Sequence, residues 1–364
     1  MKLVVLGLSL SSSWGNGHAT TYRALLQAFA ARGHDVLFLE RDVPWYAQNR
    51  DFADPPWCRL EFYADLNALA RRQSEIAAAD AVIVGSYVPQ GVEVGRWVQR
   101  HARGVVAFYD IDTPVTLAKL ARGDFEYIAP ELIPGYDLYL SFTGGPTLRH
   151  IERRWRAPAA RALYCSVDAE AYPPLDLPEK WHLSYLGTYS DDRQPALERL
   201  LIEPARRLPE MRFVVAGPQY PDGIDWPPNV ERIDHVPPAD HPRFYAASRF
   251  TLNVTRADMV KAGWSPSVRL FEAAACAVPV ISDIWEGLDA LFAPEREIVL
   301  AAGSDDVIHT LATTSGAQAA AIGEAARARV LAGHSAAQRA HELEQHLSEA
   351  AAARPRQAME AATS

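Results

Sequence analysis

Residues 265–282 read SPSVRLFEAAACAVPVIS, a helix signal running straight into a strand signal. Ser265 suits an N-cap, and Pro266 suits the first helical position, where a missing N–H costs nothing. From Ser267 the pattern stays helical to about Ala277. Leu270, Ala273, Ala274 and Ala277 recur at i, i+3, i+4 and i+7 and form one apolar stripe. Ser265, Arg269 and Glu272 fall on the other side. Pro279 stops the helix, and the apolar run 278–282 has the character of a strand buried on both faces of a parallel sheet. The alanines let the helix approach that sheet closely. Arg269 and Glu272 then admit two readings: an i, i+3 ion pair on a wet surface, stabilising by a few tenths of a kcal/mol, or two charged groups placed at a ligand site.

The rest of the chain repeats this alternation. KLVVLGL, DVLFLE, DAVIVGS, GVVAFYD, DLYLSF and ALYCS read as strands in the first half; HLSYLG, RFVVAG, VERIDHV, FTLNV and VPVIS do so in the second. Helical patterns lie between several of them, over 19–32 and 196–207 among others. Alternation of this kind predicts right-handed βαβ units and parallel sheets. Two such series predict two doubly wound domains, with the break in the proline-rich segment around Pro173, Pro174 and Pro178. The expected division is 1–172, 173–334, and a helix and tail over 335–364 that could cross back to the first domain. His334, His341 and His346 are expected on the surface of that late helix.

A chain of 364 residues suffices for two domains with sizeable cores. It is 49% hydrophobic and 22% charged, with a net charge of −9, which disfavours a general nucleic-acid binder or a clamp on anionic membranes. Three widely spaced cysteines argue against a disulfide framework and fit a reducing compartment. The opening MKLVVLGLSL runs into a polar loop and reads as a first strand rather than a leader. No stretch approaches the roughly 20 apolar residues of a membrane span. A cytoplasmic protein is expected.

Several strand ends carry candidate chemistry. After the first strand, SSSWGNGHATTYRALLQAFAARGHDVLFLE places Gly15, Asn16 and Gly17 in a loop before a helix, where backbone amides can approach a ligand. The third glycine of a dinucleotide fingerprint is replaced by Thr20, so a nicotinamide oxidoreductase is the last of the rivals, although Glu40 ends the second strand. His18 is either a packing histidine or a ligand contact. FYDIDTP puts Asp110 and Asp112 at a strand's carboxyl end, where open α/β sheets bind ligands; the alternatives are a capped turn or a metal-holding pair. SFTGGPTL turns on a glycine pair. In the second half Gly187, Thr188 and Arg193 follow one strand, Gly217 the next, and Arg256 and Lys261 precede GWSPSVRLFE.

This set resembles the GT-B glycosyltransferases. The linker SVDAEAYPP, the LG and VVAGP strand ends and the R-x-x-E-A-x-A-x-x-x-P-V helix–strand are similar to family 4 enzymes. GWSPSVRLFE resembles the spore-maturation (CgeB-type) glycosyltransferase-like group. The resemblance spans about residues 3–350. It implies an α/β GT-B fold, two doubly wound Rossmann-like domains facing a central cleft, with the donor on the second domain and the acceptor on the first. It implies that Glu272 binds the nucleotide ribose, that Ser265 and Ser267 help cradle the diphosphate, and that Arg193 neutralises it, with Gly187, Thr188, Gly217, Arg256 and Arg269 around them. His18, Asp110 and Asp112 become the catalytic candidates, and Gly15, Asn16 and Gly17 an acceptor-side loop. The pattern departs from family 4 at Trp264, where a second glutamate is common, and at Thr188, where arginine is common.

The activity expected is transfer of a sugar from a nucleotide diphosphate-sugar to an unknown acceptor, without a metal or other cofactor. Retention is the expected course, although a His18–Asp pair would suit inversion. The alternatives are a nucleotide-sugar epimerase on the same fold and an inactive nucleotide-sugar-binding protein.

Overall fold

The computed structural model describes residues 1–14 and 17–362, with side chains to residue 354. The chain divides into two compact units, Met1–Cys165 with Ala336–Ser364, and Ser166–Ser335.

The first unit is a seven-stranded parallel sheet: β1 (Lys2–Gly7), β2 (Asp35–Arg41), β3 (Arg59–Tyr63), β4 (Ala81–Gly85), β5 (Val105–Asp110), β6 (Leu138–Ser141) and β7 (Ala160–Ala162). Their spatial order is β3-β2-β1-β4-β5-β6-β7. Strands β4, β5 and β6 are buried throughout, which is why they read as unbroken apolar runs. The helix His18–Ala31 covers one face through Tyr22, Leu25, Leu26 and Phe29. Leu343, Leu347 and Ala350 of the long helix Ala336–Ala362 join the same core.

The second unit is a six-stranded parallel sheet of β8 (Trp181–Leu186), β9 (Phe213–Ala216), β10 (Val230–Ile233), β11 (Ser248–Asn253), β12 (Val280–Ser282) and β13 (Val299–Leu300). Its order is β10-β9-β8-β11-β12-β13. Both orders reverse once, between β1 and β4 and between β8 and β11. A crevice at the carboxyl ends of the strands forms at such a reversal.

Some details differ from the sequence reading. Residues 163–166 are not a strand; the edge strand is β7, which ends at Ala162. β3 and β13 carry too little apolar alternation to stand out in the sequence. His334 is buried, stacked on Phe271 at 4.9 Å and close to Phe292, because it follows the helix Gly316–Gly333 instead of riding the last one. Among the described residues no helix is long and apolar enough to cross a membrane.

Candidate functional site

The opening stretch of the second unit is shorter and more buried than its pattern suggests. The helix is Val268–Ala275, and Ser267, in extended backbone, is its N-cap. Ser265 is buried ahead of the helix and does not cap it, and Pro266 is not in its first turn. The helix has no wet face at Arg269 and Glu272: they are 8% and 5% exposed. Sheet on one side and the helix Gly316–Gly333, with Gly323 against the Ala277 carbonyl, account for this burial. The surface ion pair is therefore excluded, and the two charges go to different partners.

Arg269 straddles the point where the strand order reverses. Its Nε donates to the Leu186 carbonyl at the end of β8 (2.6 Å), and Nη1 donates to Asn253 Oδ1 at the end of β11 (3.2 Å). The guanidinium lies 4.8 Å from the Tyr185 ring centre. Ser267 donates to the same Asn253 oxygen at 2.7 Å. The Asn253 amide donates in turn to Ser282 and Thr255. Asp283 accepts from the Thr255 amide (2.9 Å) and hydroxyl (2.8 Å), while burial raises its carboxyl above the usual range. This network fixes Arg269 in one position.

Two further arginines gather at the same strand ends. Arg193 Nη2 donates to the Thr188 carbonyl (2.9 Å), and its Nε is buried without a partner. Arg232, on β10, packs on Tyr220 (4.2 Å) and Trp226 (4.8 Å) and donates to the carbonyls of Val215 and, at 3.2 Å, Gly217. Among the described residues these three cations bond carbonyl or amide oxygens and lie on aromatic faces, and none is in ion-pair contact with a carboxylate, although Asp234 and Asp283 act on Arg232 and Arg269 from farther off. Cations at sheet carboxyl ends with no carboxylate in direct contact can take a polyanion. Arg256 differs, because Asp192 lies 3.6 Å from its Nε.

Gly187 and Gly217 are glycines for packing. A Cβ at Gly187 would lie 2.8 Å from Arg269 Nη2, and one at Gly217, whose φ is +141°, would lie 2.1 Å from the Gly187 carbonyl oxygen. Their absent side chains let β8, β9 and Arg269 close up.

Glu272 is held apart from the arginines. Tyr172 donates to its Oε1 (2.9 Å) and Tyr245 to its Oε2 (3.1 Å), with His241 Nδ1 3.8 Å away. The proline-rich segment that carries Tyr172 therefore docks on this carboxylate. Contrary to the expectation of an open ribose site, the carboxylate is already bonded on both oxygens.

In the first unit Gly15 and Asn16 lie outside the described residues. Gly17 is the N-cap of His18–Ala31 with ordinary helical φ and nothing near its Cβ position, so glycine is not required there. Glu40 is fully buried and holds the preceding loop through Ser9, Leu10 and Ser11. That commitment removes it as a ribose acid. His18 stands edge-on to Tyr87 with ring centres 5.4 Å apart; its Nδ1 is buried and unpartnered, and burial pushes the imidazole down to about 4. Asp110, fully buried and pushed up to about 6 by that burial, accepts from Thr116 and Tyr139 (2.6 Å each) and from the Asp112 amide. The His18–Asp pair that would suit inversion does not form through Asp110, whose carboxylate those donors take. Asp112 accepts from Tyr87 at 3.1 Å.

The sequence reading missed Arg232, Tyr220, Asn253, Asp283, Tyr172, Tyr245 and Tyr87. Only Asn253 and Asp283, polar residues ending apolar strands, gave a local signal.

Comparison with known proteins agrees with this architecture. Residues 193–345 match a family model described as glycosyl transferase-like. No curated protein matches the chain in sequence. Among solved structures, sucrose-phosphate synthase from Thermosynechococcus elongatus has a TM-score of 0.71 at 16% identity, covering 97% of this chain and 100% of that one. HepE from Anabaena, in complex with UDP-glucose, gives 0.68 at 14%, with 96% and 100% covered. An alpha-glucosyltransferase in complex with UDP-glucose and DNA containing an abasic site gives 0.69 at 12%, with 95% and 99% covered. Identities this low speak for fold alone. The chain thus has, along nearly its whole length, the GT-B fold, and over residues 193–345 it is similar to the glycosyl transferase-like family model.

Proposed function

We propose that the protein transfers a sugar from a nucleotide diphosphate-sugar to an acceptor hydroxyl. The observation that carries this reading is the set Arg193, Arg232 and Arg269, buried or half-buried at the carboxyl ends of β8 and β9 without carboxylate partners. A departing diphosphate gains negative charge as the glycosidic bond breaks, and fixed cations and amides stabilise that charge in the transition state. Thr188, Arg256, Ser265 and Ser267 would complete the donor site. Glu272 reaches a ribose only if Tyr172 or Tyr245 yields its hydrogen bond.

On this reading the second unit holds the donor and the first unit, through His18 and Asp112, the acceptor. Retention is the proposed course, because His18 Nδ1 is buried without the carboxylate partner that would make the imidazole a strong base. Incubation with labelled UDP-, GDP- and dTDP-sugars tests the reading: slow donor hydrolysis supports it. Epimer formation would point to an isomerase, and binding without turnover to an inactive receptor. Turnover is expected to survive EDTA, since the arginines supply the charge that a metal would otherwise supply. Loss of turnover restored by Mn²⁺ or Mg²⁺ would defeat that part.

His18→Ala should lower turnover at saturating donor about tenfold or more, in the range of lost acid–base or orienting groups. Nucleotide affinity should stay within about twofold, a difference below 0.5 kcal/mol. The opposite pattern would reverse the assignment of donor and acceptor to the two units.

A further inference from the structure

Among the described residues, the second unit buries four side-chain polar atoms that have no hydrogen-bond partner: Arg193 Nε, Gln194 Oε1, Trp264 Nε1 and Trp285 Nε1. All four stand in the connections that leave β8, β11 and β12 at their carboxyl ends. Unmet buried groups are rare in native structures, because the bond to water is lost and nothing replaces it. A site that a ligand completes has this character.

The two tryptophans belong to one wall. Trp264 has a φ of +49°, in the left-handed region that a bulky residue seldom enters. Strain of that kind gathers at ligand sites and persists where the surroundings over-determine it. Here the Trp264 amide donates to the Glu286 carbonyl at 2.6 Å, and the indole lies on Gly287, where a Cβ would stand 2.3 Å from the ring. The connection that carries Trp285 is thereby pinned to the one that leads through Ser265 and Ser267 to Arg269. Trp285 is 6% exposed, whereas Val260 and Ile284 on the same two connections are 36% and 51% exposed. The wall combines neutral N–H donors with exposed aliphatic side chains.

Its buried acceptors are taken. Asn253 Oδ1 accepts from Ser267 and Arg269, and Asp283 accepts from Thr255. Asp258 and Glu286 are exposed, where water holds their carboxylates. An indole N–H is a donor only, so the matching ligand group is an oxygen that accepts without bringing a proton of its own. A sugar hydroxyl brings one.

We propose that the donor sugar is an acylamino sugar, its carbonyl oxygen accepting from the indole N–H groups of Trp264 and Trp285 and its acyl methyl lying against Val260 and Ile284. The proposal deepens the glycosyl-transfer reading and rests on it for the ligand being a sugar. A carbonyl oxygen has two lone pairs, enough for both donors. The methyl covers aliphatic surface that a hydroxyl would leave wet. A uronate carboxylate fits less well, because it would set a charge against neutral indoles and aliphatic side chains. The arginines are left to the diphosphate.

Sugar 1-phosphates without a nucleotide test this, read by ¹H–¹⁵N spectra of protein labelled at the indole nitrogens. N-acetylglucosamine 1-phosphate should bind about tenfold tighter than glucose 1-phosphate and move two indole resonances downfield. Trp264→Phe and Trp285→Phe keep an aromatic ring and remove the N–H, and the resonance lost in each is thereby assigned. Each variant, checked for folding by a melt, should bind N-acetylglucosamine 1-phosphate about three- to tenfold more weakly. Its affinity for glucose 1-phosphate should stay within about twofold of the wild type. Equal or tighter binding of glucose 1-phosphate by the wild type, or no binding of either sugar, would overturn the proposal. Tightest binding of glucuronic acid 1-phosphate would overturn the acyl group in favour of a carboxylate. An acyl preference with both indole resonances unmoved would overturn the role of the tryptophans. Donor hydrolysis, which this titration does not involve, decides the transferase reading separately.

Discussion

Glu272→Ala is expected to lower the stability of the protein by about 2–4 kcal/mol, although alanine is the best helix former and the site lies inside a helix. The carboxylate accepts from Tyr172 and Tyr245 and is 5% exposed, and Tyr245 is fully buried. Removing the acceptor leaves the Tyr245 hydroxyl without a partner, at about 1–3 kcal/mol when water cannot replace the lost bond, and takes from Tyr172 one of two partners, the other being His241 Nδ1 at 3.2 Å, at about 1 kcal/mol more. A surface pair with Arg269 would have contributed under about 1 kcal/mol. Urea denaturation of Glu272→Ala separates these magnitudes. The same substitution on a Tyr172→Phe, Tyr245→Phe background should cost much less, because the donors are gone as well. A loss below about 1 kcal/mol in the single variant would show that the tyrosines find water or other acceptors.

Arg269→Met is expected to weaken nucleoside diphosphate binding by roughly ten- to a hundredfold. Charge-assisted hydrogen bonds contribute about 1.5–3 kcal/mol, at about 1.4 kcal/mol per decade of affinity. Methionine keeps much of the apolar stem on Tyr185 while removing the charge. The variant also strips a donor from the Leu186 carbonyl and from Asn253, so some stability is lost in the same step. Arg269→Lys should fall between, since an ammonium restores the charge but cannot reach both strand ends as a planar fork. Calorimetry with UDP and GDP measures the affinity, and a melt on each variant checks the fold. Wild-type affinity in a folded Arg269→Met protein would mean that the crevice cations do not hold a diphosphate.

Much of the architecture was legible in the chain. Unbroken apolar runs such as those of β4 and β5 announce strands covered on both faces, and their alternation with helices requires parallel sheets. Helix ends were less so: Ser265 and Pro266 have the right residue types for a start, but the chain stays extended until Ser267 because Ser267 and Arg269 both bond Asn253 across the crevice. Two of the candidate glycines also have a packing reason that the sequence does not show. A Cβ at Gly187 would meet the Tyr185 and Arg269 side chains, and one at Gly217 the Gly187 carbonyl, so packing alone requires both glycines.

By itself, then, the sequence determined the fold class, the two series of βαβ units and the strand ends at which polar residues collect, because these follow from periodicities of two and 3.6 residues along a single segment. Only the tertiary structure decided what Arg269 and Glu272 do. Their partners come from Leu186 and Asn253 in one case and from Tyr172 and Tyr245 in the other, up to 100 residues away along the chain. The cost of burying a charge depends on those partners, and no local pattern encodes them.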